Sequence, residues 1–304
     1  TGASNVAVGA LALDANTTGA ENTALGTNSL SAATTVTHTT AVGYRAMEAL
    51  TTGLYNTAVG WDALKTNVTG TSNTAVGVNA LSNATGGSNT AVGMNCAGSL
   101  TTGGSNTAVG TAALGAATSG ANNVAVGYAA LDANTTGAEN VAVGSGALGA
   151  NTTAGSNVAV GTYSLDANTT GHSNIAIGSH SLGVNTTGAS NVAVGYAALD
   201  ANTTGAENVA VGPGALGANT TAAYNIAVGS GALAANTTGY SNNAIGQGVL
   251  GANTTGAGNI AVGGYITSVR NAAMASNTTG YWNVAIGGGA FTANTTGHSS
   301  VAIG

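Results

Sequence analysis

Positive charge is almost missing from this chain. Three Lys and Arg stand against nine Asp and Glu in 304 residues, and charged residues of both signs make up only 4%. A nucleic-acid binder needs clustered cations to displace the counterions of the phosphate backbone, so that class is excluded. The single cysteine, Cys96, has no partner for an internal disulfide and rules out zinc sites built from several thiolates. No apolar run approaches the roughly 20 residues that cross a bilayer, so no membrane insertion is expected, and no signal peptide opens the chain. Large apolar side chains are scarce as well: Leu, Ile, Val and Phe total 54 residues, while glycine alone supplies 50. That is little bulk for a conventional core, yet the self-repulsion that keeps charged chains disordered is also absent. The composition suggests small residues stacked in register.

What the chain has is an internal repeat. Aligned on Asn-Val-Ala-Val-Gly and its variants, 18 copies start between Asn5 and Ser300. Fifteen of the 17 gaps are 17 residues, Asn73 to Asn89 is 16, and Asn259 to Asn283 is 24. The consensus is Asn-[Val/Thr]-Ala-[Val/Ile]-Gly-x-x-[Ala/Ser]-Leu-x-x-Asn-Thr-Thr-Gly-x-x, and its places are numbered here as columns 1 to 17. Column 3 is Ala and column 5 is Gly in all 18 copies; column 9 is Leu except at Met47, Ala97, Thr267 and Phe291. The chain starts at Thr1 and stops at Gly304 partway through a motif, so it is expected to be a piece of something longer.

Helix is excluded by the glycine content, at about 1 kcal/mol each, and by the lack of a 3.6-residue apolar period. Columns 1–5 read as a short strand, with Val6 and Val8 on one face and Ala7 on the other. The Ala-Leu of columns 8 and 9 is expected to carry a second short extended segment. Asn-Thr-Thr-Gly supplies turn chemistry, because Gly and Asn tolerate positive φ and Asn can bond its own backbone. One such unit cannot fold alone, whereas stacked units form a parallel β-solenoid. The expected fold is therefore all-β: a parallel β-solenoid of 17-residue repeats, one continuous array over residues 1–304 of about 18 coils, with an insert at 264–282. Identical residues about 4.8 Å apart would form ladders, the Asn ladder running amide to amide.

The strand is apolar on both faces, and such strands are normally covered on both sides. With the valines turned inward, a single solenoid would leave the alanines as an exposed stripe of the kind that marks an interface. A homotrimeric rod is the expectation, with Ala packed between chains. The pentapeptides Asn-Val-Ala-Val-Gly, Asn-Ile-Ala-Ile-Gly at Asn174 and Ser-Val-Ala-Ile-Gly at Ser300 resemble the head repeats of trimeric autotransporter adhesins. Similar arrays occur in phage tail fibres and bacterial surface proteins. The resemblance covers essentially the whole chain, although the adhesin unit is shorter than 17. It implies a left-handed β-roll of three chains side by side in an extracellular fibre.

Departures from the repeat are where specific function would be grafted. Column 2 is Thr in six successive copies, Thr23 to Thr107, and mostly Val or Ile from Val124 onward; this is drift in a duplicated array, or two segments with different partners or hydration. The insert carries Tyr265, Arg270, Tyr281 and Trp282, aromatic faces beside an Arg that suit surface glycans, or a loop covering a stagger. A second cluster, Tyr44, Arg45, Glu48, Tyr55, Trp61, Asp62 and Lys65, reads as a solvated rim with local ion pairs. No catalytic residue is expected: Asp14, Asp132, Asp166 and Asp200 recur beside the column-9 Leu as repeat decoration. His38, His172, His180 and His298 lack ligand spacing, so neither a metal nor a cofactor is expected. Asn16, Asn134 and Asn168 match a glycosylation sequon but read as turn residues.

The function these observations favour is a structural fibre segment, extracellular, in a phage tail fibre or a cell-surface filament, supporting attachment. An adhesin head binding glycan or matrix along its side is the alternative. An ice-binding solenoid is a minor one, opposed by Asn-Thr-Thr placing adjacent threonines on opposite sides of an extended chain.

Overall fold

The computed structural model describes residues 2–264 and 272–304. The chain divides into two compact units, residues 1–155 and 156–304. Every regular element among the described residues is a three-residue strand: β1 (Val6–Val8) to β9 (Val141–Val143) in the first unit, and β10 (Val158–Val160) to β18 (Val301–Ile303) in the second. Within each unit successive strands pair in parallel, column against like column. Ala41 faces Ala58 and Ala58 faces Ala75 in the first unit; Ala193 faces Ala210 and Ala210 faces Ala227 in the second. Each unit is thus a parallel β-solenoid with one coil per repeat.

The two odd coils keep this register. The 16-residue coil pairs Ala75 with Ala91, because its missing residue falls in the turn at Ala84–Gly86 and not in the strand. The 24-residue coil pairs Ala261 with Ala285. In that coil Met274 takes the place of the column-9 Leu: the Leu250 N–H donates to the Ala273 carbonyl (3.3 Å), and the Met274 N–H donates to Ala290 (3.0 Å). Thr267, which the repeat spacing aligns with column 9, lies outside the described residues.

The strand faces are the reverse of the sequence expectation. Column 3 is fully buried from Ala24 to Ala285, whereas columns 2 and 4 are half-buried or exposed. Volume decides this, not hydrophobicity. The interior already holds one Leu per coil in column 9, fully buried in most coils, together with buried carboxamides from columns 1 and 12. Opposite them there is room for a methyl group and no more. Alanine is invariant because of packing inside the chain, so its invariance says nothing about an interface.

Columns 8 and 9 also differ from expectation, for they form a turn and not an extended segment. Column 9 takes the left-handed conformation, at φ 53 for Leu148, 52 for Leu165 and 50 for Leu182, and column 7 does so as well. Each such residue costs about 1–2 kcal/mol. Burying the Leu side chain offsets that by about 1.5–3 kcal/mol, and the turn still bonds coil to coil, as from the Leu182 N–H to the Ala198 carbonyl (2.9 Å). Column 5 needs glycine twice over. Gly178 sits at φ 126, and a Cβ there would lie 2.6 Å from the Gly195 carbonyl oxygen of the following coil.

Two ladders of carboxamides run inside the coils. Asn208 in column 1 donates from Nδ2 to Asn191 Oδ1 (3.1 Å) and to the Ala222 carbonyl (2.8 Å). Its own Oδ1 accepts from the backbone N–H (3.0 Å) and Nδ2 (3.2 Å) of Asn225. In column 12, Asn202 donates to Asn185 Oδ1 (2.9 Å) and to the Gly205 carbonyl (2.9 Å). The Thr hydroxyls of column 13 join in: Thr203 Oγ1 donates to the Thr220 carbonyl (3.1 Å).

Two mutational series check this interior. Ala142→Leu and Ala147→Leu, both at fully buried positions, should each lower unfolding free energy by about 1–3 kcal/mol through overpacking. Val141→Leu, on the outward face, should stay within about 0.5 kcal/mol of the parent in urea titrations. Asn208→Ala should cost about 1–3 kcal/mol because its buried neighbours lose partners, against almost nothing for the exposed Thr204→Ala.

Candidate functional site

Alternation in a three-residue strand leaves columns 2 and 4 on the same side, and parallel register stacks each into a ladder. In the second unit this outward face carries Ile175, Ile177, Val211, Ile226, Val228 and Ile245, all exposed. In the first unit column 4 is again apolar, through Leu25, Val59, Val76, Val92 and Val109. Column 2 there is Thr over β-strands Thr23–Leu25 to Thr107–Val109, each Thr in register with the next. These threonines are half-buried, except for the exposed Thr107. An apolar face repeated coil after coil is a candidate interaction surface of each unit.

The charged cluster assembles as its spacing suggests. Arg45 Nε lies 2.8 Å from Glu48 Oε2 and 3.8 Å from Asp62 Oδ1, and Lys65 Nζ lies 3.4 Å from Asp62 Oδ2. The bond to Glu48 raises the Arg45 pKa, against the opposing effect of desolvation. Tyr44 and Trp61 stand one above the other in column 6, ring centres 5.1 Å apart and tilted by 59°. Tyr55 belongs to a different column, where it stacks on His38 at 5.2 Å while His38 Nε2 meets Glu21 at 2.7 Å.

Of the four residues nominated in the insert, Tyr265 and Arg270 lie outside the described residues. Tyr281 and Trp282 come together edge to face at 5.4 Å, and Tyr281 stacks on His298 at 4.7 Å. Trp282 lies over Gly258, whose missing side chain makes the room. Asn134 and Asn168 are fully buried in the column-12 ladder, so neither is accessible as a glycan acceptor in the folded chain. The column-10 carboxylates sit at the surface, half-buried or exposed. Burial raises the pKa of Asp166, opposed by the charge of His180. Among the described residues no three His, Cys, Asp or Glu side chains gather as a metal site would require.

Cys96 replaces the column-8 Ala and is fully buried. Burial pushes its thiol up to about 11, so it is a neutral, unreactive filler at physiological pH. Alkylation with iodoacetamide at pH 8 should be negligible in the native protein and fast in denaturant; rapid native labelling would contradict the buried placement.

Compared with models of known protein families the chain matches none, and no curated protein matches its sequence.

Proposed function

We propose that this chain is a structural segment of an extracellular fibre, in a phage tail fibre or a bacterial surface filament, whose copies associate side by side as a homotrimer and support attachment. The observation that carries the reading is the outward apolar face of columns 2 and 4. A parallel strand apolar on both sides is ordinarily covered on both, and here the coil interior covers only the Ala side. The chain's scarcity of charge fits a surface meant to be buried, since charged residues are depleted from interface cores. Its periodic hydrogen bonding suits a mechanical role that needs neither turnover nor cofactor. The face assigned to assembly is the Val and Ile face, in place of the Ala stripe expected from sequence.

Sedimentation equilibrium tests this. The parent should have three times the 28.4 kDa chain mass. Ile177→Lys and Val211→Lys, on the outward face, should lower that mass with the β circular-dichroism signal retained, and Thr204→Lys should not. A monomeric parent, or lysine variants of unchanged mass, would sink the assembly. A monomer showing thermal hysteresis that Thr74→Tyr abolishes would support the ice-binding reading instead, since the Thr ladder would then face water.

A further inference from the structure

The first unit holds a groove of about 570 Å³ that runs along columns 7, 10 and 11 of five coils, those starting at Asn56 through Asn123. It lies away from the columns assigned to assembly. Elsewhere column 11 is mostly alanine, as at Ala15, Ala32, Ala49, Ala133 and Ala150, but three successive coils place Thr66, Asn83 and Ser99 there. The same three coils carry Asp62, Asn79 and Asn95 in column 7. Polar side chains are thus concentrated in two neighbouring columns of three coils, while Gly98 and Gly115 keep the floor free of side chains.

Several of these groups retain unused bonding capacity. Asn79 Nδ2 donates to Asn95 Oδ1 (3.1 Å), which leaves Asn95 Nδ2 uncommitted. Asn83 Nδ2 donates to the Gly98 carbonyl (2.9 Å), which leaves Asn83 Oδ1. Asp62 Oδ1 also accepts no hydrogen bond, but it is buried against Arg45 at 3.8 Å and is closed to a ligand. Beside Asp62, Trp61 and Tyr44 present exposed rings, 58% and 42% accessible. Neither ring lines the groove itself; Trp61 directly precedes Asp62, which does, in the coil that begins the polar row.

Carboxamides in a row with an exposed aromatic pair nearby match a ligand with hydroxyl rims and apolar C–H faces. We propose that this groove binds a neutral oligosaccharide, with Trp61 and Tyr44 against one ring and Asn79, Asn83 and Asn95 bonding hydroxyls along it. Neutrality follows from the charges. Asp62 and Asp132 line opposite ends, and the cations at hand, Arg45 and Lys65, are paired with Glu48 and Asp62. Four coil steps of about 4.8 Å hold those two carboxylates about 19 Å apart. Glycoside hydrolysis needs a separation of about 5–9.5 Å, so these two carboxylates cannot act as a hydrolytic pair.

Calorimetry on the full chain tests the proposal, with chitotetraose, cellotetraose, maltotetraose and mannotetraose as neutral probes and tetragalacturonate as the anionic one. At least one neutral probe should give saturable binding and the anionic one none. Trp61→Ala should weaken binding tenfold or more. Ala112→Tyr should do the same by filling the groove: Ala112 (φ 58) lines it, and column 7 already accepts a tyrosine at Tyr163 (φ 53). Ala197→Tyr, the same change in a column-7 position of the second unit, should leave binding intact, and melting curves should show all three variants folded. No binding by any neutral probe, preference for tetragalacturonate, or full binding by folded Ala112→Tyr would each overturn it. The outcome is independent of assembly, because a monomer carries the whole groove.

Discussion

In every coil that keeps Asn in both columns 1 and 12, the column-15 carbonyl accepts hydrogen bonds from two carboxamides, and much of the repeat is arranged to keep that possible. In the coil starting at Asn191 the Gly205 carbonyl takes Asn191 Nδ2 at 2.8 Å and Asn202 Nδ2 at 2.9 Å. An amide left unpaired there would cost about 1–3 kcal/mol, and the further partners of Asn191 and Asn202 lie in the neighbouring coils. The period is thereby held at 17, and its exceptions fall where the amides tolerate them. The 16-residue coil loses its residue from the turn, and there column 12 is Ala84, so no second amide is displaced. In the 24-residue coil Asn259 and Asn277 still share the Gly280 carbonyl, at 2.7 and 3.1 Å, because the extra residues enter after Gly263 and before Ala272.

The same crowded interior explains the outer surface. Amides and one Leu leave space only for a methyl group on the inward side of the strand, so the larger β-branched side chains must point outward. Packing density makes this choice costly to reverse, since overfilling a close-packed core forces backbone shifts. An apolar outer face is therefore a by-product of filling the inside with small and polar groups. In the first unit the balance is altered: Ala33, Leu50, Ala84, Leu100 and Ala117 replace the column-12 Asn, all fully buried. These are coils whose column 2 is Thr, so the inner amide and the outer methyl group are lost in the same block of repeats.

Much of the solenoid was legible before any coordinates, because a 17-residue identity pattern forces like residues into register whatever the coil's cross-section. The column-1 amide ladder and the Asn turn followed from side-chain chemistry alone. The direction of Ala7 and its equivalents did not, since alternation yields two faces without saying which is narrow, and the larger apolar residues were assigned inward. Nor did the left-handed Leu turn, although a signal was present. Column 7 holds Gly146, Gly214, Gly231 and Gly248 in some copies and Asn28, Asn79 and Asn95 in others, the residue types that accept positive φ most readily. Reading those glycines by column would have exposed the turn. The groove was hidden for another reason: its residues come one or a few at a time from five successive coils, and each looks like ordinary variation until the columns are stacked.

A scaffold of this kind separates two tasks that a globular fold mixes. Interior columns are fixed by packing and amide pairing, so a change at column 1, 3 or 5 is felt by the coils on either side. Columns 6, 7, 10 and 16 are free of that demand and vary from copy to copy, and column 11 departs from Ala in a few. Where variation is random, a polar residue in one coil has no counterpart in the next. Where three coils in succession change the same two columns to amides, hydroxyls and a carboxylate, coil spacing converts them into a row of bonding groups about 4.8 Å apart. Any single contact in such a row would be weak, but chains held side by side would present several copies of the row together, and affinity would then rise through effective concentration. Assembly through the Val and Ile face and recognition through the variable face would thus reinforce each other while using different residues.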